Sequence, residues 1–386
     1  MNKKEVLEIR KLFAKDDCRL DRIAACYVDG HKNKVFRMKE AFLSLPDEEM
    51  FKYTEILKKA LSGTVGKNLL NLEFPLAEEA PGGHQADLLA LRDSELKDDA
   101  MIDSFFDKIV ETYLYAENYL ILLVHGNYDV PGKASDNAEM FDSSEYVYNF
   151  VLCCICPVSL NKAGLCYNAE VNTFVDKVQD WMLQNPEVSF LFPAFNDRNS
   201  DIHSLLYYSK NPEILHPEIT DDLLGCTLPL PASDQLDTFN TIIEETFSNH
   251  CDFEVAKTVH EELNALLEGK KEEPEPTPLE KADIRRFLER CGADSEQIEH
   301  FDEVYDDDRH EDVHLLASNL ANPKKFEVKS PDVKISVSGS RTDLIETRMI
   351  DGVEYIMIPV TDTVEVNGIK IRAGRSDQAQ PFETES

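Results

Sequence analysis

Tyr119-Leu-Ile-Leu-Leu-Val124 and Tyr146-Val-Tyr-Asn-Phe-Val-Leu-Cys-Cys-Ile-Cys156 are the two stretches whose reading decides the fold. Each is a continuous apolar run of strand length, and Pro157 closes the second. Such runs read as strands buried in a core. They are far short of the ~20 apolar residues a membrane-spanning helix needs.

Outward from these runs the chain alternates between strand and helix patterns. Residues 3–14 place Val6, Ile9, Leu12 and Phe13 on one helix face. Leu20 to Val28 reads as a strand, Asp29-Gly30 as a turn, and Val35 to Phe42 as the returning strand. Pro46 and the acidic Asp47, Glu48 and Glu49 open a helix. Its stripe is Met50, Tyr53, Leu57 and Leu61, and Gly63 is a stop. Leu69 to Phe74 reads as a strand, and residues 83–118 as two acidic helices. Ile102, Phe105, Phe106, Ile109, Tyr113 and Leu114 mark the core face of the second. Asn161 to Gly164 turns into a strand at Leu165 to Asn168. Phe174 to Met182 fits helix and strand alike, and Val188 to Phe192 is a strand. Residues 1–230 therefore predict an α+β fold with a mainly antiparallel sheet and flanking helices.

Two further helix patterns occupy 235–268. Composition then shifts. Glu268-Gly-Lys-Lys-Glu-Glu-Pro-Glu-Pro-Thr-Pro278 has no apolar residue and reads as a linker. Beyond it, Ile284 to Leu288 and Ile298 to Val304 suggest a helical pair broken at Gly292. Asp351-Gly352 and Asn367-Gly368 are hairpin turns, predicting a small β-meander from Leu344 to Ile371. The expected organisation is a main domain over 1–268, a linker over 269–278, a small α+β domain over 279–372 and a disordered tail over 373–386.

Charge narrows the function classes. Asp and Glu number 74 against 40 Lys and Arg, a formal charge of −34. That balance opposes direct nucleic-acid binding and attachment to anionic membranes. It suits basic partners, divalent cations or simple solubility. The start has no apolar signal region and the end no lipidation signal, so a cytoplasmic protein is expected. The nine irregularly spaced cysteines are then reduced.

Motifs exclude more than they assign. Ser62-Gly-Thr-Val-Gly-Lys67 has only two residues between its glycines, and Asn68 stands where a phosphate loop needs a hydroxyl. It reads as a helix stop and tight turn. Cys153, Cys154 and Cys156, with Cys166 nearby, do not converge on a flat strand, so core thiols are expected rather than zinc. Asp306, Asp307, Asp308, Glu311 and Asp312 lack the spacing and glycine of a calcium loop, so no metal is expected. No dinucleotide fingerprint or hydrolase motif occurs, so no cofactor is expected. One polar set follows two strand ends: His125 and Asp129 after the first run, then Arg198 and His203 after Phe192. Brought together, they could serve as base, orienter and anion holder.

Several phrases carry a family resemblance: Tyr27-Val-Asp-Gly30, Ser44-Leu-Pro-Asp-Glu-Glu49, Leu61-Ser-Gly-Thr-Val-Gly-Lys-Asn-Leu-Leu-Asn-Leu-Glu-Phe-Pro75 and Ile155-Cys-Pro-Val158. Phe190-Leu-Phe-Pro-Ala-Phe-Asn-Asp-Arg198, Leu344-Ile-Glu-Thr-Arg-Met-Ile-Asp-Gly352 and Val364-Glu-Val-Asn-Gly368 belong with them. On these, the chain resembles an uncharacterised domain-of-unknown-function family of anaerobic, gut-type Gram-positive bacteria, over nearly its whole length. The resemblance implies a cytoplasmic bacterial protein and transfers no catalytic role.

The leading expectation is a non-catalytic acidic protein that acts through contacts with a protein partner. The rival is a hydrolase or nucleotide-processing enzyme with its site at the loops after residues 124 and 192. A third reading is a mimic of nucleic acid, which needs carboxylates in phosphate-like rows. Oligomeric state is left open.

Overall fold

The computed structural model describes residues 1–14, 18–133, 139–248, 251–306, 314–359 and 363–372. Helix α1 (Lys3–Lys11) starts on Asn2, whose side chain accepts from the Lys4 and Glu5 amides. The Glu5 carboxylate accepts from the Asn2 amide in return, a reciprocal cap that fixes the first turn. Strands β1 (Leu20–Val28) and β2 (Lys34–Ala41) form an antiparallel hairpin. Its turn is held by the Asp29 carboxylate, which accepts from the His31 and Asn33 amides. Helix α2 (Asp47–Ala60) buries Leu57 and Ala60, followed by Leu61. Met50 and Tyr53 of its expected stripe are only half-buried.

Strand β3 (Leu69–Glu73) and helices α3 (His84–Asp93) and α4 (Asp99–Thr112) follow. Strands β4 (Tyr119–Lys133) and β5 (Glu139–Leu160) contain the two apolar runs but extend well beyond them. Their polar ends stay in strand because each pairs with the other, as in Asn127↔Asn149 and Asp129↔Val147. The ambiguous stretch 174–182 is strand at both ends and irregular over 177–180: β6 (Leu165–Asn168) pairs β7 (Thr173–Asp176), and β8 (Trp181–Leu183) pairs the end of β5. Then come β9 (Val188–Phe192), β10 (Ala194–Asn196), β11 (Asn199–Asp201) and β12 (Ser204–Ser209).

The main sheet runs β2-β1-β4-β5-β9-β12-β3, with every neighbouring pair antiparallel. Helices cover both faces. Cys26, Ile121, Cys153, Phe190 and Tyr207 point to one side, beneath Leu88 and Leu91 of α3 and Phe106 and Ile109 of α4. Ile23, Leu122, Cys154, Leu191 and Leu206 point to the other, beneath Val6 and Ile9 of α1 and Leu57 of α2. Burial on both faces is why the central strands are unbroken apolar runs rather than alternating ones. Each such side chain contributes roughly 1.5–3 kcal/mol. The β2 edge is closed by charge: Lys34, Arg37 and Lys39 pair with Asp107, Asp103 and Asp99, spaced four apart on one face of α4.

A third core joins α5 (Ala232–Thr246), α6 (Phe253–Gly269), α7 (Lys281–Arg290), α8 (Ser295–Tyr305) and α9 (Ala317–Leu320). Phe239, Ile242, Leu263, Ile284, Leu288 and Phe301 meet there. The segment 269–278 therefore lies between helices of one core. Its end enters a short ladder, β13 (Pro278–Leu279) with β14 (Leu315–Leu316). Composition reported that this segment has no core of its own, but not which core its flanking helices join.

The C-terminal β region is three separate hairpins rather than one meander. These are β15 (Phe326–Lys329) with β16 (Lys334–Val337), β17 (Glu346–Ile350) with β18 (Val353–Met357), and β19 (Thr363–Val366) with β20 (Ile369–Arg372). The turns are as expected: Asp351, Gly352, Asn367 and Gly368 all have φ between 48° and 85°. Asp307, Asp308, Glu311, Asp312 and the tail 373–386 lie outside the described residues. Among the described residues, no helix is long and apolar enough to cross a membrane.

Candidate functional site

The four polar residues singled out from sequence each have their own surroundings. His125 on β4 is 2% exposed, and its Nδ1 lies 2.9 Å from Asp21 Oδ2. Asn127 donates to both oxygens of the same carboxylate, at 2.9 and 2.8 Å. Burial pushes the imidazole pKa down, against the opposing pull of Asp21. A ring with its proton on Nδ1 donates to that carboxylate. Its Nε2 is buried with no hydrogen-bond partner. Asp129 is exposed on the same strand.

Arg198 sits at the tip of the β10–β11 hairpin and forks onto Glu8 of α1, at 2.9, 3.1 and 3.2 Å. Tyr128 donates to Glu8 at 2.9 Å, and Arg198 also reaches the Pro131 carbonyl at 3.4 Å. The loop after Phe192 thus does meet the far end of β4, but in a network that is already filled. His203 is exposed, with Nδ1 2.5 Å from Glu79, whose hydrogen bond and charge raise its pKa.

Among the described residues, no hydrogen bond or ion pair joins any two of these four. His125 pairs across β5 toward Phe192, and β12 lies beyond β9. His203 therefore lies three strand spacings away, roughly 14 Å. That is beyond the reach of acid–base partners. The thiols follow the expected alternation: Cys153 faces one core, Cys154 and Cys156 the other, and Cys166 is exposed. Among the described residues, no group of three or more His, Cys, Asp or Glu is placed to hold a metal ion.

A different feature stands out at the β3 end of the sheet. Among the described residues, β3 is an edge strand, paired with β12 alone. The Phe74 amide donates to the His203 carbonyl, and the Ser209 amide to the Asn68 carbonyl. Hydrogen-bonded pairs alternate along an antiparallel ladder, so Leu70 and Leu72 also face β12. Leu69, Asn71 and Glu73 turn their backbone groups outward. The turn before the strand satisfies Leu69, through Gly66 amide to Leu69 carbonyl at 2.8 Å and Leu69 amide to Thr64 carbonyl at 3.1 Å. The amides and carbonyls of Asn71 and Glu73 have no partner among the described residues.

Beside this edge runs a cavity of about 890 Å³. Leu72, Ile214, Leu215, Leu228 and Leu230 line it, with Glu213 and His314 among its polar groups. The far wall is Thr227-Leu-Pro-Leu-Pro231. Pro229 and Pro231 have no N–H to offer, so this wall cannot zip onto β3 and the groove stays open.

One end of the groove is fixed by a polar cluster. The Asn71 side chain accepts from the Met1 amine at 2.7 Å, and Asn196 accepts from the same amine. Asn196 donates to Asp201 at 2.6 Å and to Ser204 at 3.2 Å, and Ser204 donates to Asp201. Burial alone would raise the Asp201 pKa, but the bonds from Ser204, Asn196 and the His203 amide hold it below the usual carboxylate range. The cluster is mutually satisfied, so it positions β3 and the β10–β11 hairpin rather than leaving a reactive group free. The sequence hinted at this edge only through Asn71 and Glu73, polar positions in a strand of a sheet covered on both faces.

No curated protein matches the chain at a significant level. Residues 1–369 match the model of a domain of unknown function, DUF4317, and the chain belongs to that family.

Proposed function

We propose that this protein is a non-catalytic binding protein that takes an extended segment of a partner protein by strand addition to β3. The observation that carries this reading is the pair of outward-facing residues, Asn71 and Glu73, whose backbone groups lack partners among the described residues beside an open apolar groove. An added strand would exchange main-chain hydrogen bonds there and place alternate side chains against Leu228 and Leu230. Four such bonds at about 1 kcal/mol each, with apolar contact, suit a micromolar partner. The charge of −34 favours segments carrying Lys or Arg. It also speaks against nucleic acid as ligand.

The rival readings have less support. The Nε2 of His125 is sealed from solvent, which weakens the case for a catalytic base there. The best carboxylate row, Asp99, Asp103 and Asp107, is neutralised by Lys39, Arg37 and Lys34, which weakens the case for a nucleic-acid mimic.

The test is a proline at Glu73. The Glu73 amide faces away from β12, so Glu73→Pro removes an outward donor without breaking the ladder. Immobilised full-length protein is panned with a random displayed-peptide library. Enriched peptides with alternating apolar residues are expected to bind the native chain at micromolar affinity. They should lose at least tenfold on Glu73→Pro while the variant's circular dichroism is unchanged. Equal binding to the folded variant, or no enrichment at all, overturns the proposal.

A further inference from the structure

Residues 158–183 form a single two-stranded ribbon that leaves the sheet. Val158–Leu160 pair with β8, from Val158↔Leu183 to Leu160↔Trp181. The Asn161 amide then donates to the Asp180 carbonyl, and the Lys177 amide to the Gly164 carbonyl. β6 and β7 carry the same register to Asn168↔Thr173. Residues 161–164 and 177–180 lie outside the named strands but keep this register, and the ten residue steps from Val158 to Asn168 span roughly 33 Å when extended. No residue from 161 to 185 is buried. A two-stranded ribbon alone in water is marginal, and among the described residues no layer covers this one.

Its composition is that of an interface. Leu165, Tyr167 and Phe174 share one face of the outer ribbon, with the two rings 5.7 Å apart. Tyr167, Phe174 and Trp181 are 56%, 66% and 57% exposed. Leu165, Tyr167, Phe174, Val178 and Met182 share that face by register and are all exposed, presenting on the order of 500 Å² at about 150–250 Å² per large side chain, while Leu160 and Trp181 lie on the other face. With the walls of the hollow described next added to it, each copy approaches the roughly 800 Å² that a partner gives to an ordinary stable interface. The ribbon is also nearly neutral. Lys162 and Lys177 stand against Glu170, Asp176 and Asp180, a net of −1 in a chain of −34. Two copies of so acidic a molecule meet least repulsion there.

The complementary hollow lies at the ribbon's base. A cavity of about 580 Å³ between α2 and β8 is walled by Phe51, Tyr53, Ile56, Met182 and Leu183, with Glu49, Lys52 and Glu55 also lining it. Tip and hollow sit at opposite ends of one ribbon. Two ribbons packed antiparallel about a two-fold axis place each tip at the other's base, a self-complementary contact.

We propose that two copies of this chain associate through residues 158–183, with Leu165, Tyr167 and Phe174 of each copy filling the hollow between α2 and β8 of the other. This surface shares no residue with the groove beside β3, and neither proposal depends on the other.

The test uses the full chain. Light scattering after gel filtration should give twice the 43.9 kDa monomer mass. Trp181 is the only tryptophan, so its emission should shift to the blue as concentration rises through the dissociation constant. Added salt should strengthen association by screening repulsion between copies. Phe174→Glu should be monomeric, with red-shifted, readily quenched emission. Phe174 is exposed, so that variant should fold. Leu76→Glu alters a residue 85% exposed outside the ribbon and should leave the dimer intact. A native chain that stays monomeric up to about 0.1 mM, including one that instead binds neutral lipid vesicles, overturns the proposal. So does a dimer that survives Phe174→Glu.

Discussion

At the scale of single residues, one strained position is the turn Asn196-Asp197-Arg198-Asn199. Asp197 and Arg198 have φ of 52° and 55°, the left-handed pair that a two-residue hairpin ordinarily gives to Asn-Gly. Arg at the second position carries a backbone cost of about 1 kcal/mol. The fork onto Glu8 offsets it, with both side chains mostly buried. Arg198→Ala removes the fork and keeps the cost, whereas Arg198→Gly removes both. Glycine should therefore be the milder substitution, by about 1 kcal/mol in urea unfolding at constant slope. The reverse ranking would mean that the turn stores no strain. His125 makes a second residue-level prediction. Burial lowers its pKa in the folded state below the ordinary 6.5, so in the window just under 6.5 the unfolded chain binds the proton and the folded chain does not. Its contribution to stability is therefore full above pH 6.5 and falls as pH drops through that window. His125→Asn keeps a donor for Asp21 and does not titrate. Stability should fall less steeply between about pH 7 and 5 in the variant than in the native protein. Parallel slopes would show that the buried ring is not the group responsible.

At the scale of elements, what could be read from sequence follows from where the side chains go. β1, β9 and the apolar halves of β4 and β5 were legible because helices cover both faces of the sheet. The Asp-Gly and Asn-Gly turns were legible because their φ values demand those residues. The polar halves of β4 and β5 were not, because pairing with each other holds them extended without apolar side chains. Strand order was not legible either, and it makes β3 an edge. The candidate groove was hidden for that reason: its recognition groups are backbone amides and carbonyls, which every residue carries. His125, Asp129, Arg198 and His203 stood out by side-chain chemistry and loop position. The actual partners of His125, Arg198 and His203 are Asp21, Glu8 and Glu79, which lie 104, 190 and 124 residues away in the chain, where no local pattern reaches.

At the scale of the molecule, the helical core meets the sheet at the turn that leads into β3. Gly66 has φ +82°, and its carbonyl accepts from Asn319 of α9 at 3.0 Å. Gln235 of α5 joins the contact, accepting from the Leu316 amide at 3.0 Å and from Asn319 at 3.1 Å. A Cβ at residue 66 would lie 2.6 Å from Leu316 Cδ1 and 3.3 Å from Pro276. Gly66→Ala thus combines a backbone conformation that alanine resists with an overlap at the seam between the two cores. The expected cost is about 2–3 kcal/mol, felt at the seam first because the sheet core and the helical core are otherwise separate clusters. Hydrogen exchange should quicken at the β13–β14 ladder and α9, with β4 and β5 protected as before. Peptide binding beside β3 should weaken with it, since residues 64–69 hold the start of that strand. If exchange instead quickens uniformly through the central sheet, the two cores unfold as one cooperative unit and the seam has no independent stability.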